Sequence, residues 1–142
     1  MKKIIITGGL GYIGTELCKI YSGYSWNDRI TVIDNRFISE RINQLRNWNI
    51  NFVQGDILDK DFINFHCKNA DIIHHLAGIT DVPRVQSEIK EGQENVIKSV
   101  AEVGTQNILD SMGKECKIIM PSSHVVYEGI KEVRLDIKED EK

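Results

Sequence analysis

The sequence has little of what disulfide-rich, membrane-spanning or nucleic-acid-binding proteins need. Its 142 residues include three cysteines and no CxxC pair, which argues against a disulfide framework and against a zinc site. No apolar run approaches the roughly 20 residues of a membrane span. The net charge of −3 offers no basic surface to nucleic acid or to an anionic membrane. These absences indicate one globular domain without a metal site, in the reducing cytoplasm.

Prolines are also scarce, and no Pro-rich linker divides the chain. Instead, short β-branched runs alternate with longer helical patterns. The predicted strands are Lys3–Thr7, Ile30–Asp34, Asn51–Gln54, Asp71–Leu76 and Cys116–Met120. Several are apolar throughout, which is typical of parallel strands covered on both faces. The alternation predicts an α/β fold with a doubly wound parallel sheet of strand order 3-2-1-4-5. Its ligand crevice should lie between the first and fourth strands.

The helices between these strands are predicted from apolar residues at helical spacing. These residues are Ile13, Leu17, Ile20 and Tyr21 after the first strand, Ile38, Ile42 and Leu45 after the second, and Val96, Val100, Val103 and Leu109 before the fifth. A shorter helix is predicted over Asp59–Lys68. Residues 130–142 are mostly charged and are expected to form a solvated tail. We therefore expect a domain over residues 1–129 whose sheet is incomplete after strand 5.

A glycine-rich segment, TGGLGYIG, begins at Thr7 between the first strand and the first helix. Gly8 and Gly9 permit a tight turn, Gly11 allows the backbone to approach a pyrophosphate, and Gly14 allows close packing of the helix on the strand. The N–H groups at the helix start can then bind phosphates. No GK[ST] follows, which excludes a P-loop. The segment predicts a dinucleotide site in a Rossmann-type fold.

An acidic residue, Asp34, ends the second strand at the distance from the glycines where a carboxylate meets a ribose. A carboxylate there binds the ribose hydroxyls of NAD and repels the 2′-phosphate of NADP. Arg36 is close enough to favour NADP if its side chain points inward. The alternative is that Asp34 only forms the turn with Asn35. We expect NAD as the cofactor, with NADP less favoured.

Several segments in the same order resemble the extended short-chain dehydrogenase/reductases. They are the TGGxGxxG segment, Val32–Asn35, Gly55–Asp59, His74–Gly78, Gly104–Leu109 and Pro121–Tyr127. The resemblance covers the chain to about Gly129. It points to the NAD-dependent epimerase/dehydratase group, and within it to UDP-glucose 4-epimerase-like members.

The resemblance implies that NAD exchanges a hydride with a nucleotide-linked sugar. It implies cofactor contacts from Gly8, Gly11, Tyr12, Ile13, Gly14, Asp34, Asn35, Asp56, Ile57, Leu76, Ala77 and Gly78. Ser123 matches the catalytic Ser/Thr of the family, whose hydroxyl bonds the reacting oxygen. In the family the helix that matches residues 96–112 forms a dimer, so a homodimer is expected there, and this helix should present an exposed apolar stripe of Val96, Val100 and Val103.

The family's catalytic YxxxK would fall beyond Lys142. Tyr127 and Lys131 have that spacing, but Tyr127 matches a structural tyrosine of the family instead. We therefore expect the substrate-binding domain and the YxxxK helix to be absent, and the chain alone to bind NAD without turnover. The alternative is a non-catalytic NAD-binding module or a decayed or truncated relative. A methyltransferase-like nucleoside binder fits less well, because it needs no pyrophosphate cradle.

The sequence departs from the family at two further places. Ala101 stands where the family has an asparagine, unless Asn95 or Asn107 replaces it. His124 and Val125 stand where the 4,6-dehydratases have Asp-Glu, which favours an epimerase or a reductase. His74 and His75 end the fourth strand without metal-ligand partners at suitable spacing. They are predicted to be packed or hydrogen-bonded, with one ring inward and one outward.

Overall fold

Five parallel strands form the centre of the protein in the computed structural model, which describes residues 1–24, 29–80 and 94–122. The strands are β1 (Lys3–Thr7), β2 (Arg29–Asp34), β3 (Asn51–Gln54), β4 (Ile72–His75) and β5 (Lys117–Ile119). The helices are α1 (Tyr12–Ser22), α2 (Ser39–Asn47), α3 (Lys60–Cys67), α4 (Glu94–Ser99) and α5 (Thr105–Ser111). A π-helical turn, Val100–Gly104, joins α4 to α5.

The order of the strands in the sheet is β3-β2-β1-β4-β5, which confirms the predicted fold and topology. Thr7 at the end of β1 is level with Ile33 of β2 and with His75 of β4. The carboxyl ends of the three strands therefore meet at one edge. The direction of winding reverses between β1 and β4, and a reversal of this kind leaves a crevice outside the strand ends.

The hydrophobic core has two parts, one on each face of the sheet. Ile4 and Ile6 of β1 face the cluster that α1 and α2 cover, whereas Ile5 faces the cluster that α3 and α5 cover. All three side chains are fully buried. Burial on both faces explains why the strands read as continuous apolar runs.

The buried face of α1 differs from the predicted one. Ile13 and Ile20 are 61% and 56% exposed, whereas Gly14 and Cys18 are buried. The cause is the close packing at Gly14, where a Cβ would lie 2.5 Å from the Cα of Gly9. Because only this side of the helix can approach the loop so closely, the helix is rotated and two of its isoleucines face outward.

The segment before β5 is helical as predicted, but its π-helical turn changes which valines are exposed. Val96 and Val103 are 45% and 49% exposed, while Val100 packs partly buried against the core around Ile108. The predicted apolar stripe is therefore wrong for Val100, because the wider turn shifts the helical register. None of the helices in the described ranges is long and apolar enough to cross a membrane. The predicted tail, residues 130–142, lies outside those ranges.

Candidate functional site

A crevice of about 1220 Å³ opens at the carboxyl ends of the strands, between the glycine loop and the ends of β3 and β4. All twelve residues predicted to contact the cofactor line it: Gly8, Gly11, Tyr12, Ile13, Gly14, Asp34, Asn35, Asp56, Ile57, Leu76, Ala77 and Gly78. Its volume slightly exceeds the roughly 300–1,000 Å³ of common ligand pockets. The structure thus brings the predicted residues together around a space suited to a long ligand, and their contact with a cofactor stays a prediction.

The glycines of the loop serve different purposes. Gly8 has φ +67°, and a Cβ there would lie 2.6 Å from the backbone nitrogen of Ala77. At Gly11 the nearest atom to an added Cβ is the carbonyl oxygen of Gly8, at 3.0 Å. Gly8 is therefore required by the fold. Gly11 sits in the crevice wall, and its missing side chain mainly leaves room there.

Two charged side chains hold the middle of the loop. The backbone nitrogen of Leu10 donates to Oδ2 of Asp34 at 3.1 Å. The guanidinium of Arg41, on α2, donates to the carbonyl oxygen of Leu10. The loop is thus fixed on both sides of Leu10 by contacts within the chain. Arg41 was not predicted as a site residue, because nothing in its spacing signals a contact 31 residues away.

Asp34 is buried at the end of β2 and faces both the loop and its own turn. Its Oδ1 accepts the backbone N–H of Arg36 at 3.0 Å, so it does form the turn that the alternative interpretation proposed. The Arg36 side chain is half exposed, and its guanidinium is engaged with both carboxylate oxygens, with Nε 3.2 Å from Oδ1 and a terminal nitrogen 3.3 Å from Oδ2. Asp34 therefore forms the turn and also lines the crevice.

The loop after β3 forms the wall of the crevice beside Asp34. Asp56 accepts a hydrogen bond from the backbone nitrogen of Leu58 at 2.9 Å and one from Asn35 at 3.3 Å. The buried amide of Asn107 donates to the carbonyl oxygens of Ile57 and Leu58, at 3.0 and 3.2 Å. Asn107 is therefore committed to holding this loop, and it does not replace the asparagine that the family has at position 101.

The end of β4 forms the opposite wall. His74 and His75 are both buried, so the expectation that one ring faces outward is wrong, because helices cover both faces of the sheet. His74 Nε2 lies 2.8 Å from the hydroxyl of Tyr21. Burial lowers the pKa of both rings below the usual value for histidine, which keeps them neutral near pH 7. The predicted hydrogen-bonded role of the pair is confirmed.

A directed chain of hydrogen bonds runs from the sheet to the crevice through His75. The fully buried hydroxyl of Thr7 accepts from the backbone nitrogen of Ala77 at 3.4 Å and lies 2.8 Å from His75 Nδ1. Its own proton is satisfied only if it donates to Nδ1, since a buried donor needs an acceptor. Nε2 then carries the ring proton and donates to the hydroxyl of Thr105, 3.0 Å away. Thr105 lines the crevice, so the chain of contacts ends at its wall.

The predicted catalytic residue, Ser123, lies outside the described residues, as do His124, Tyr127 and Lys131. The neighbouring Ser122 closes the crevice on the β5 side. The catalytic role of Ser123 stays a prediction. Within the described ranges, no group of three or more His, Cys, Asp or Glu side chains could hold a metal ion.

A parallel sheet of order 3-2-1-4-5, with a glycine-rich crevice at the reversal of strand order, defines the Rossmann-type class of dinucleotide-binding folds. The model of the 3-beta hydroxysteroid dehydrogenase/isomerase family, which is part of the extended short-chain dehydrogenases/reductases, matches residues 5–139. The chain belongs to this family, and the predicted membership of the extended short-chain dehydrogenases/reductases is confirmed.

Relatives in this family include several that act on sugar nucleotides. The chain is 32% identical over 136 residues to a dTDP-D-glucose 4,6-dehydratase of Dictyostelium discoideum, covering 89% of this chain and 30% of that protein. It is also 32% identical over 136 residues to a UDP-glucose 4-epimerase of Yersinia enterocolitica, covering 87% of this chain and 38% of that protein. The chain thus spans about a third of the length of these relatives.

Solved structures show the same similarity. UDP-glucose 4-epimerase from Bifidobacterium longum, in complex with NAD⁺ and UDP, is similar with a TM-score of 0.72 and 26% identity, over 97% of this chain and 41% of that one. UDP-glucose 4-epimerase from Brucella ovis, in complex with NAD, is similar with a TM-score of 0.73 and 24% identity, over 98% of this chain and 40% of that one. The fold described above is therefore the fold of the amino-terminal part of these enzymes.

Proposed function

We propose that the crevice binds NAD, with its pyrophosphate over the glycine loop. The main support is Gly11, which lacks a side chain and lies in the crevice wall at the start of α1. Backbone N–H groups at a helix start attract phosphate oxygens. The loop is held in this shape by contacts of Asp34 and Arg41 within the chain.

Two ends of the crevice match the two halves of a dinucleotide. Asp34 and the Asp56–Ile57 segment would hold the adenosine half, with the carboxylate of Asp34 accepting hydrogen bonds from the ribose hydroxyls. The backbone of Leu76–Gly78 and the hydroxyl of Thr105 would face the other half, towards Ser122 at the end of β5. NAD supplies hydride transfer when bound, while this chain positions it and excludes water.

The complete protein is proposed to be an oxidoreductase of the epimerase/dehydratase type that acts on a nucleotide-linked sugar. The support comes from the sugar-nucleotide enzymes among its relatives. In the proposal the hydroxyl of Ser123 bonds the reacting oxygen, and Tyr127 and Lys131 do not form the Tyr-Lys base despite their spacing. The chain by itself is therefore proposed to bind NAD without catalysing turnover.

Calorimetric titration of the chain with NAD⁺ and NADP⁺, together with the variant Asp34→Asn, tests this proposal. We expect saturable 1:1 binding of NAD⁺ and weaker binding of NADP⁺. Asp34→Asn should lower the affinity for NAD⁺ about tenfold, because a hydrogen bond to a charged group is worth roughly 1.5–3 kcal/mol. The same change should narrow the difference between NAD⁺ and NADP⁺, since the repulsion of the 2′-phosphate is lost.

The matched control is Asp110→Asn, which removes one carboxylate from the exposed face of α5. Its affinity for both dinucleotides should equal that of the original chain. Equal binding of NAD⁺ by the Asp34→Asn variant and the original chain would contradict the role of Asp34. The absence of any NAD⁺ binding by the original chain would contradict the proposed function itself.

A further inference from the structure

We propose that Arg36 is an intramolecular competitor of the cofactor: its guanidinium occupies the two acceptor positions of Asp34 that the ribose diol of NAD would use. The inference rests on the proposed function, because it concerns the same carboxylate. Arg36 then determines how the affinity of the crevice differs between nucleotides whose ribose has free 2′- and 3′-hydroxyls and nucleotides that lack them.

The carboxylate of Asp34 has a full set of hydrogen-bond donors within the chain. An ionised carboxylate has about four acceptor positions. The backbone nitrogens of Leu10 and Arg36 take one on each oxygen, at 3.1 and 3.0 Å. The guanidinium of Arg36 takes one more on each oxygen, at 3.2 and 3.3 Å. All four positions are thus used within the chain, and an incoming donor has to displace one of these groups.

The displaced group is the guanidinium rather than a backbone N–H. Both backbone bonds belong to ordered turns, and the bond from Leu10 also fixes the glycine loop. The Arg36 side chain is 53% exposed and covers a carboxyl side chain that is only 3% exposed. Because the Arg36 side chain is half exposed, its guanidinium can move into solvent without any change in the backbone, whereas loss of either backbone bond would require a turn to rearrange.

The chemistry of the two donors is also matched. A guanidinium presents two N–H groups in a planar fork that fits both oxygens of a carboxylate. The vicinal 2′- and 3′-hydroxyls of a ribose likewise present two adjacent donors. When the guanidinium leaves, the two backbone bonds keep the carboxylate oriented, so that the diol can take the vacated positions on Oδ1 and Oδ2.

The competition predicts opposite effects on the two dinucleotides. For NAD⁺, Arg36 has to be displaced, so its removal should tighten binding. For NADP⁺, the displaced guanidinium lies beside the 2′-phosphate and can pair with it, so its removal should weaken binding. Removal of the Arg36 side chain should therefore increase the preference for NAD⁺ over NADP⁺, because the affinity for NAD⁺ rises and the affinity for NADP⁺ falls.

The test compares Arg36→Ala with the original chain in calorimetric titrations with NAD⁺, NADP⁺, ADP and 2′,3′-dideoxy-ADP. Because the guanidinium no longer has to be displaced, Arg36→Ala should raise the affinity for NAD⁺ about two- to fivefold. The ratio of affinities for ADP over dideoxy-ADP should rise by the same factor, while NADP⁺ binds more weakly. The ratio is used because ADP and dideoxy-ADP carry the same negative charge. The loss of one positive charge in the variant affects both affinities equally and cancels in the ratio.

Arg46→Ala is the matched control, since Arg46 is exposed in the last turn of α2 and has no place in the crevice wall. It should leave the ADP to dideoxy-ADP ratio unchanged. An unchanged or lower ratio in Arg36→Ala, with NAD⁺ still bound, would overturn the competition while leaving the proposed function intact. If neither the original chain nor Arg36→Ala binds NAD⁺, both proposals fail together.

Discussion

Replacing Gly8 by alanine is expected to destabilise the protein by about 3 kcal/mol. A Cβ in the left-handed region costs roughly 1–2 kcal/mol, and overpacking a tight site costs roughly 1–3 kcal/mol more. Both penalties apply here, since Gly8 has φ +67° and its added Cβ would lie 2.6–2.7 Å from backbone atoms of Leu76 and Ala77. Those atoms follow directly after β4, where the backbone nitrogen of Leu76 donates to the carbonyl oxygen of Thr7 at 3.0 Å, so they cannot move without breaking this bond between the two strand ends.

Thermal unfolding followed by circular dichroism measures this effect. For a chain of this size, a loss of about 3 kcal/mol lowers Tm by about 10 °C. The control is Gly113→Ala, because a Cβ at Gly113 would meet its nearest neighbour, the carbonyl oxygen of Lys68, at an ordinary 3.7 Å. An unchanged Tm in Gly8→Ala would show that the turn after β1 does not have the described conformation.

Replacing Gly11 by valine is expected to lower the affinity for NAD⁺ by a factor of at least about a hundred, while the fold is retained. Gly11 has φ −70° and ψ 175°, a conformation open to any residue. An added Cβ would lie 3.0 Å from the carbonyl oxygen of Gly8, so the loop has to shift by a few tenths of an ångström, and Gly11 itself lines the crevice. There the valine side chain would hold a pyrophosphate away from the N–H groups at the start of α1 and cost more than one charge-assisted hydrogen bond, each worth roughly 1.5–3 kcal/mol.

Calorimetry with NAD⁺ and a thermal melt of the same Gly11→Val sample separate the two effects. We expect a melting curve close to that of the original chain and no heat of binding. Gly113→Val provides the comparison, with a valine added to a turn away from the crevice. Normal NAD⁺ affinity in Gly11→Val would mean that no phosphate approaches the loop at Gly11.

Much of the fold was predictable because it follows from local patterns. Runs such as Lys3–Thr7 are apolar on both faces and alternate with helical segments, which allows few topologies other than a doubly wound parallel sheet. The crevice was predictable for the same reason, since it lies where the strand order reverses. Twelve of the residues that line it were predicted from the resemblance of short motifs at the strand ends to those of the family.

The details that the sequence did not reveal depend on contacts between distant segments. The rotation of α1 follows from the approach of Gly14 to Gly9, which no count of apolar residues contains. The burial of Val100 follows from the π-helical turn. The pairing of Arg36 with Asp34 and the long-range contact of Arg41 are side-chain arrangements, and several directions are compatible with the same spacing. The role of Ser123 belongs to neither group, because it lies outside the described residues.

The central claim is that NAD binds in the crevice between β1 and β4, and mapping the changes in backbone amide chemical shifts on adding NAD⁺ tests it most directly. The account predicts that the largest changes lie at Gly8, Gly11 and Ala77, around the phosphate cradle. A shallow groove on the outer side of α1, lined by Glu16, Lys19, Ile20, Gly23 and Tyr24, is the other cavity of interest in the described part of the chain. Shift changes confined to that groove, or no saturable changes at all, would contradict the claim.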